Sequence, residues 1–190
     1  MEMKTVRQRQ VAGFSMLEMV VVVFIILTVS AIAIPSVLRS VREYRLNATA
    51  RDVANILQQT RFEAIRRNTI INCRIQPQGN TTVLWVDVNN NNALDPTERM
   101  LLLPVEVQFI APNAAPGTGS MNFQNAQQPA GSIAFDARGT VNFGAGGAGV
   151  YVMFLGYPQE PTYGFKAVSV TPMGQTKVWG ASAGGTWHSP

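Results

Sequence analysis

The chain turns on Gly13-Phe14-Ser15-Met16-Leu17-Glu18 and the run MVVVVFIILTVSAIAIPSVL that follows from Met19 to Leu38. The run carries no charge and has about the 20 residues that an α-helix needs to cross the hydrocarbon core of a bilayer. Glu18 stands directly before it, and a carboxylate at the edge of a membrane helix is costly enough to imply a task. Upstream lies a short polar leader, residues 1–13, with Lys4, Arg7 and Arg9 against Glu2. An ordinary secretory signal places its small-residue cleavage site after the apolar core. Here the small residue, Gly13, precedes the core. Cutting between Gly13 and Phe14 would remove the leader and keep the helix, whereas an uncleaved signal anchor would keep both.

This order resembles the class III signal of type IV pilins and pseudopilins: Gly, Phe, Ser or Thr, two apolar residues, Glu. All of these positions match in Gly13 to Glu18. The resemblance implies that prepilin peptidase cuts after Gly13 and that the new N-terminus, Phe14, is methylated. It also implies that the Glu18 carboxylate meets the N-terminal amine of a neighbouring subunit during assembly. Opposite charges in an apolar setting attract more strongly than in water, and each is costly when unpaired.

Residues 14–38 then form a transmembrane or filament-core helix, and room remains for one modest soluble domain. The formal net charge is +4. It resides in the leader and in residues 39–68, where seven arginines face three acids; residues 69–190 hold five bases and six acids. A head so close to neutral is not what a nucleic-acid reader needs, so DNA is not the favoured partner. The single cysteine, Cys73, excludes an internal disulfide and reads as a small buried hydrophobe.

Pro35 predicts a kink in the apolar helix. The helix is expected to continue to about Asn68 with a different pattern. Leu46, Ala50, Val53, Leu57 and Ala64 share one face, and the seven arginines from Arg39 to Arg67 take the others. Arg39, Arg42 and Arg45 lie where they could meet lipid head groups or simply solvent. From Thr69 the period becomes strand-like. A hairpin is predicted over residues 69–88 around Pro77-Gln78-Gly79-Asn80, with strands near 100–103, 105–110, 132–135, 150–155, 165–170 and 177–179. Residues 111–130 and 144–149 read as long soft connections, and 181–190 as a flexible tail. The segments Arg61 to Asn68, Ile133 to Gly139 and Val168 to Gly174 resemble the GspH/FimT-like branch of minor pseudopilins and minor pilins.

The head, residues 69–180, has one stretch with metal-ligand spacing. Asp87, Asn89, Asn91, Asp95 and Glu98 fall on positions 1, 3, 5, 9 and 12 of an EF-hand calcium loop, and the Ala93 carbonyl falls on position 7. Asn92 replaces the usual glycine, and a strand rather than a helix enters the loop. The competing reading is an Asn-rich turn whose side chains cap their own backbone. No other cofactor is called for. Catalysis has little to stand on: the only histidine, His188, is near the C-terminus, and no zinc or nucleotide-binding motif is present. Trp85 and Trp179 read as core, and Trp187 stays open between core and stacking platform.

The expected fold is α+β, a long helix packed on an antiparallel sheet in the manner of a pilin. The expected function is structural: a single-pass inner-membrane protein, head in the periplasm, that joins other pilin-like subunits in a type II secretion pseudopilus. A minor type IV pilin supporting pilus assembly or DNA uptake, and a calcium-dependent surface adhesin with a pilin anchor, are the alternatives.

Overall fold

A computed structural model describes residues 14–143 and 149–189. The leader with Gly13, and most of the Gly/Ala connection at 144–149, lie outside the described residues. The chain divides into two units, one ending at Ser40 and the other beginning at Val41. Helix α1 spans Met16–Arg67.

In the first unit, Ser15 opens the helix. Its Oγ accepts the N–H of Leu17 at 3.3 Å, and its carbonyl accepts that of Met19 at 3.1 Å. Serine serves here because its short side chain reaches an orphan donor of the first turn. The helix continues through Pro35. Side chains from Phe14 to Leu38 are exposed, apart from half-buried Ser30, and the helix is long and apolar enough to cross a membrane. Two of its hydroxyls are satisfied locally: Thr28 donates to the Ile25 carbonyl at 2.8 Å and Ser40 to that of Ser36 at 3.1 Å. Such back-bonding removes the need for water in hydrocarbon.

In the second unit, Leu46, Ala50, Val53, Leu57 and Ala64 form the buried face that the spacing predicts, joined by Ile56 and by Thr49 and Thr60. Both threonines donate to carbonyls one turn back, at 2.9 and 2.8 Å, so their burial leaves no orphan hydroxyl. The helix stops at Asn68, whose φ of 52° is the left-handed value asparagine tolerates. The N–H of Asn68 then bonds the Ile65 carbonyl and that of Thr69 the Ala64 carbonyl, both at 3.2 Å, the pairing of a Schellman cap.

Two sheets pack beneath this helix. The first has the order β3-β2-β1-β6-β7, comprising β1 (Ile71–Gln78), β2 (Thr81–Asp87), β3 (Met100–Leu102), β6 (Ser132–Phe135) and β7 (Val141–Asn142). The second runs β10-β9-β8-β4, comprising β4 (Gln108–Ile110), β8 (Val150–Gly156), β9 (Phe165–Val170) and β10 (Thr176–Ala181). All these pairings are antiparallel; β5 (Ala126–Gln127) adds parallel to β8. The predicted hairpin is β1–β2, turned at Gly79-Asn80 with Gly79 at φ 60°. The strand expected from Val105 starts only at Gln108, because Pro104 opens a turn closed by the Val107 N–H at 3.0 Å.

The main core joins the buried helix face to Ile71, Cys73, Leu84, Ile133 and Phe135 of one sheet and Leu155, Val168 and Val170 of the other. A second cluster lies on the opposite face of β8 and β9: Val152, Phe154, Phe165 and Ala167 with Met121 and Trp187. Here the structure departs from two expectations. The segment 111–130 and the tail from Ala181 supply the cover for this face rather than hanging free. Trp187 is buried, donates from Nε1 to the Pro116 carbonyl at 2.9 Å and lies 5.5 Å from the Phe154 ring. Its backbone N–H is held by Ser120 Oγ at 2.8 Å, and His188 pairs with Gly180. Trp187 is therefore core, as is Trp85, while half-buried Trp179 has Lys177 Nζ over its ring at 4.3 Å.

Candidate functional site

The candidate assembly element is the start of α1. Glu18 lies in its first turn, three residues after the capping Ser15. Ser15-Met16-Leu17-Glu18 thus has the spacing of a capping box, a signal the leader motif obscures because the same residues satisfy both patterns. Around Glu18 are only exposed apolar side chains, among them Met16, Leu17 and Met19. Nothing within the described chain covers them.

Several of the stalk arginines have partners. Arg42 pairs with Glu160 and lies over the Tyr163 ring at 4.7 Å, and Arg45 reaches Glu106 at 3.3 Å. Tyr157 donates its hydroxyl to the Arg42 carbonyl at 2.9 Å. Glu63 accepts from both Arg66 and Arg67, which hold its carboxyl below the usual range.

The three segments with the GspH/FimT-like pattern meet at one point. Arg61 donates from Nε to the Gly139 carbonyl at 3.0 Å. Gly139 and Gly174 occupy the turns after β6 and β9 at φ 76° and 73°. A Cβ on Gly174 would strike the Gly139 carbonyl, and one on Gly139 would lie 2.7 Å from Ile65 Cδ1. Helix and both sheets are therefore fastened by an arginine and two glycines that no sequence spacing connects.

The loop from Asp87 to Glu98 is closed on itself. Asp87, fully buried at the end of β2, accepts Arg74 Nε at 2.9 Å and the N–H groups of Asn91 and Asn92 at 3.1 and 3.2 Å. Glu98 accepts the N–H of Val88 at 2.8 Å and that of Asp95 at 3.1 Å. Asn89 and Asn91 turn their amide nitrogens toward one Asp95 oxygen, at 2.7 and 2.9 Å. The Asn91 oxygen accepts the Ala93 N–H at 2.8 Å. Asn92, where an EF-hand has glycine, is left-handed with φ 63°. The structure thus brings Asn89, Asn91 and Asp95 together but commits Asp87 to Arg74 and Glu98 to the backbone. Each of these carboxylates accepts hydrogen bonds from the chain itself, the arrangement of a self-capped Asn-rich turn. The hairpin register could have revealed Arg74: with Arg74 opposite Trp85 and Asn72 opposite Asp87, it is Asp87's diagonal neighbour.

Cys73 is fully buried and its thiol is pushed up to about 12, mainly by desolvation. It is a packing residue. No group of three or more His, Cys, Asp or Glu side chains converges among the described residues, and His188 is exposed.

A capped, unburied apolar helix and an α+β head fastened to its continuation define a pilin-like subunit. Residues 49–174 match the sequence model of the family described as Type II transport protein GspH. The chain belongs to the GspH family. Solved structures similar to it include the type IV minor pilin FimU of Pseudomonas aeruginosa (15% identity, 70% of this chain and 91% of that one, TM-score 0.47). Another is the minor pseudopilin EpsH of the Type 2 Secretion System of Vibrio cholerae (12% identity, 70% and 95%, TM-score 0.46). No curated protein sequence matches the chain.

Proposed function

We propose that this GspH-family chain is a minor pseudopilin of a type II secretion pseudopilus, a structural subunit without catalysis. Prepilin peptidase cuts between Gly13 and Phe14, Phe14 is N-methylated, and the mature chain waits in the inner membrane with its head in the periplasm. Assembly with other pseudopilins then buries the helix in the filament. The observation that carries this reading is the helix itself: it presents uncovered apolar side chains from Phe14 to Leu38, with Glu18 the one carboxylate among them. That surface requires lipid or other helices around it. The near-neutral head supports secretion over DNA capture.

Deleting the chain from its own cell tests the assignment. Exported enzymes should accumulate in the periplasm while surface pili and DNA uptake stay normal. Normal secretion with loss of pili or of DNA uptake would transfer the chain to a type IV pilus.

A further inference from the structure

The seam between the last turns of α1, the end of β2 and the segment that leads into the edge strand β3 holds a groove of about 360 Å³, lined among others by Gln59, Phe62, Arg66, Arg67, Val88 and Arg99. Its charge is out of keeping with the head. Arg66 and Arg67 share the single carboxylate of Glu63, and Arg99 has no ion pair among the described residues. Three guanidinium groups against one carboxylate stand here, whereas residues 69–190 carry one more acid than base. Phe62 offers an aromatic ring that is 62% exposed, where an apolar contact would otherwise be expected to find cover.

The strand beside the groove has an open edge. β3 is the last strand of its sheet. Its bonds to β2 alternate along the register: the Val86 N–H reaches the Arg99 carbonyl and the Leu103 N–H reaches the Thr82 carbonyl, both at 2.9 Å. By that alternation the backbone groups of Met100 and Leu102 point away from β2. Their side chains are also exposed, while Leu101 packs on the core, which puts Arg99 and Leu101 on the helix side.

We propose that this seam docks an extended acidic segment of another protein, added as a strand along β3. The free N–H and C=O groups of Met100 and Leu102 pair with its backbone, and alternate acidic side chains enter the groove to meet Arg99, Arg66 and Arg67. Guanidinium forks match carboxylates in pairs of hydrogen bonds. A nucleic acid would satisfy the arginines but has no backbone amides for the open edge, which is the reason to favour a polypeptide. The surface lies on the head and is indifferent to which machine the subunit serves.

Fluorescence anisotropy of the full chain in detergent micelles tests this with three labelled probes. These are a short peptide alternating glutamate and threonine, its lysine counterpart, and an oligothymidine of similar length. The glutamate peptide should bind, and Arg99→Glu should weaken it about tenfold. Leu102→Pro should weaken it as much, because the lost N–H faces outward and no bond to β2 is broken. Both variants should retain the wild-type melting temperature; if Arg99→Glu does not, Arg99→Gln replaces it. Equal binding of the lysine peptide, indifference to Leu102→Pro, tighter binding of oligothymidine, or no binding of the glutamate peptide would each overturn the proposal.

Discussion

Gly174→Ala probes the junction where Arg61, Gly139 and Gly174 meet. Gly174 has φ 73°, so alanine there meets the left-handed penalty of about 1–2 kcal/mol. Its Cβ would also strike the Gly139 carbonyl and lie 2.8 Å from Arg61 Nε. The arginine can swing away, but the carbonyl belongs to the backbone of a second turn. Overpacking of that kind costs about 1–3 kcal/mol more. For a domain of this size about 2–4 °C of melting temperature follows each kcal/mol, so a loss on the order of 10 °C is expected. Gly79→Ala is the control. Its φ is 60°, yet nothing lies within 4 Å of the added Cβ, so only the strain applies and the loss should be about 2–8 °C. Near-ultraviolet circular dichroism of the full chain in detergent reads the head through buried Trp85 and Trp187, whether or not the apolar helix unfolds. Equal losses in the two variants would refute the reasoning, because the close approach of the two turns would then carry no cost.

Glu18→Ala should be cleaved and should keep the head's circular dichroism, yet disappear from filaments recovered with the other subunits; equal recovery would make the carboxylate dispensable. Cys73 should resist thiol reagents at pH 8 until denaturant opens the head, since burial holds it as a thiol with a pKa pushed up to about 12. Fast labelling of the native chain would place it in a mobile region instead. Millimolar calcium should leave the melting temperature unchanged, because Asp87 is held by Arg74 and Glu98 by the Val88 and Asp95 amides. A rise of several degrees that is absent in Asp87→Ala would mean that the amides of Asn89 and Asn91 rotate and the loop accepts the ion.

What the sequence revealed depended on how local the cause was. Leu46, Ala50, Val53, Leu57 and Ala64 were legible because helical periodicity is a property of neighbours, and the spacing places all five on the buried face. The β1–β2 hairpin was legible for the same reason, through Gly79-Asn80 between two apolar runs. Two-residue strands such as β5 and β7 leave no period to detect. The covering role of 111–130 and of Trp187 does leave a signal in the sequence. In β8, Val152, Met153, Phe154 and Leu155 are apolar on both faces, and a strand of that kind needs cover on both. The helix takes one face, so some other segment had to take the second. Arg61, Gly139 and Gly174 were recognisable as a resemblance, but their cause is a contact between positions far apart in the chain, which periodicity cannot show. The same limit applied to Asp87: its spacing to Asn89 and Asn91 is local, while Arg74 reaches it only through the register of two strands.

The magnitudes at Glu18 explain why its loss should appear in assembly rather than in folding. A carboxylate in the first turn of a helix gains about 0.3–1 kcal/mol from the N-terminal dipole, up to about 2 kcal/mol where partly buried. Moving it out of water costs several kcal/mol even after relaxation. The helix end therefore cannot hold a charged Glu18 in an apolar filament core by itself, and no basic side chain lies between Phe14 and Leu38. On the proposed reading the missing positive charge is the amine that cleavage creates at Phe14. Within one subunit, at the membrane edge, water can solvate both groups. Inside the filament water is excluded, and an amine and a carboxylate from adjacent subunits compensate each other only when the helices are in register. On that reading alanine at position 18 removes the selection and leaves an amine unpaired, while the residues that build the head's core are unchanged.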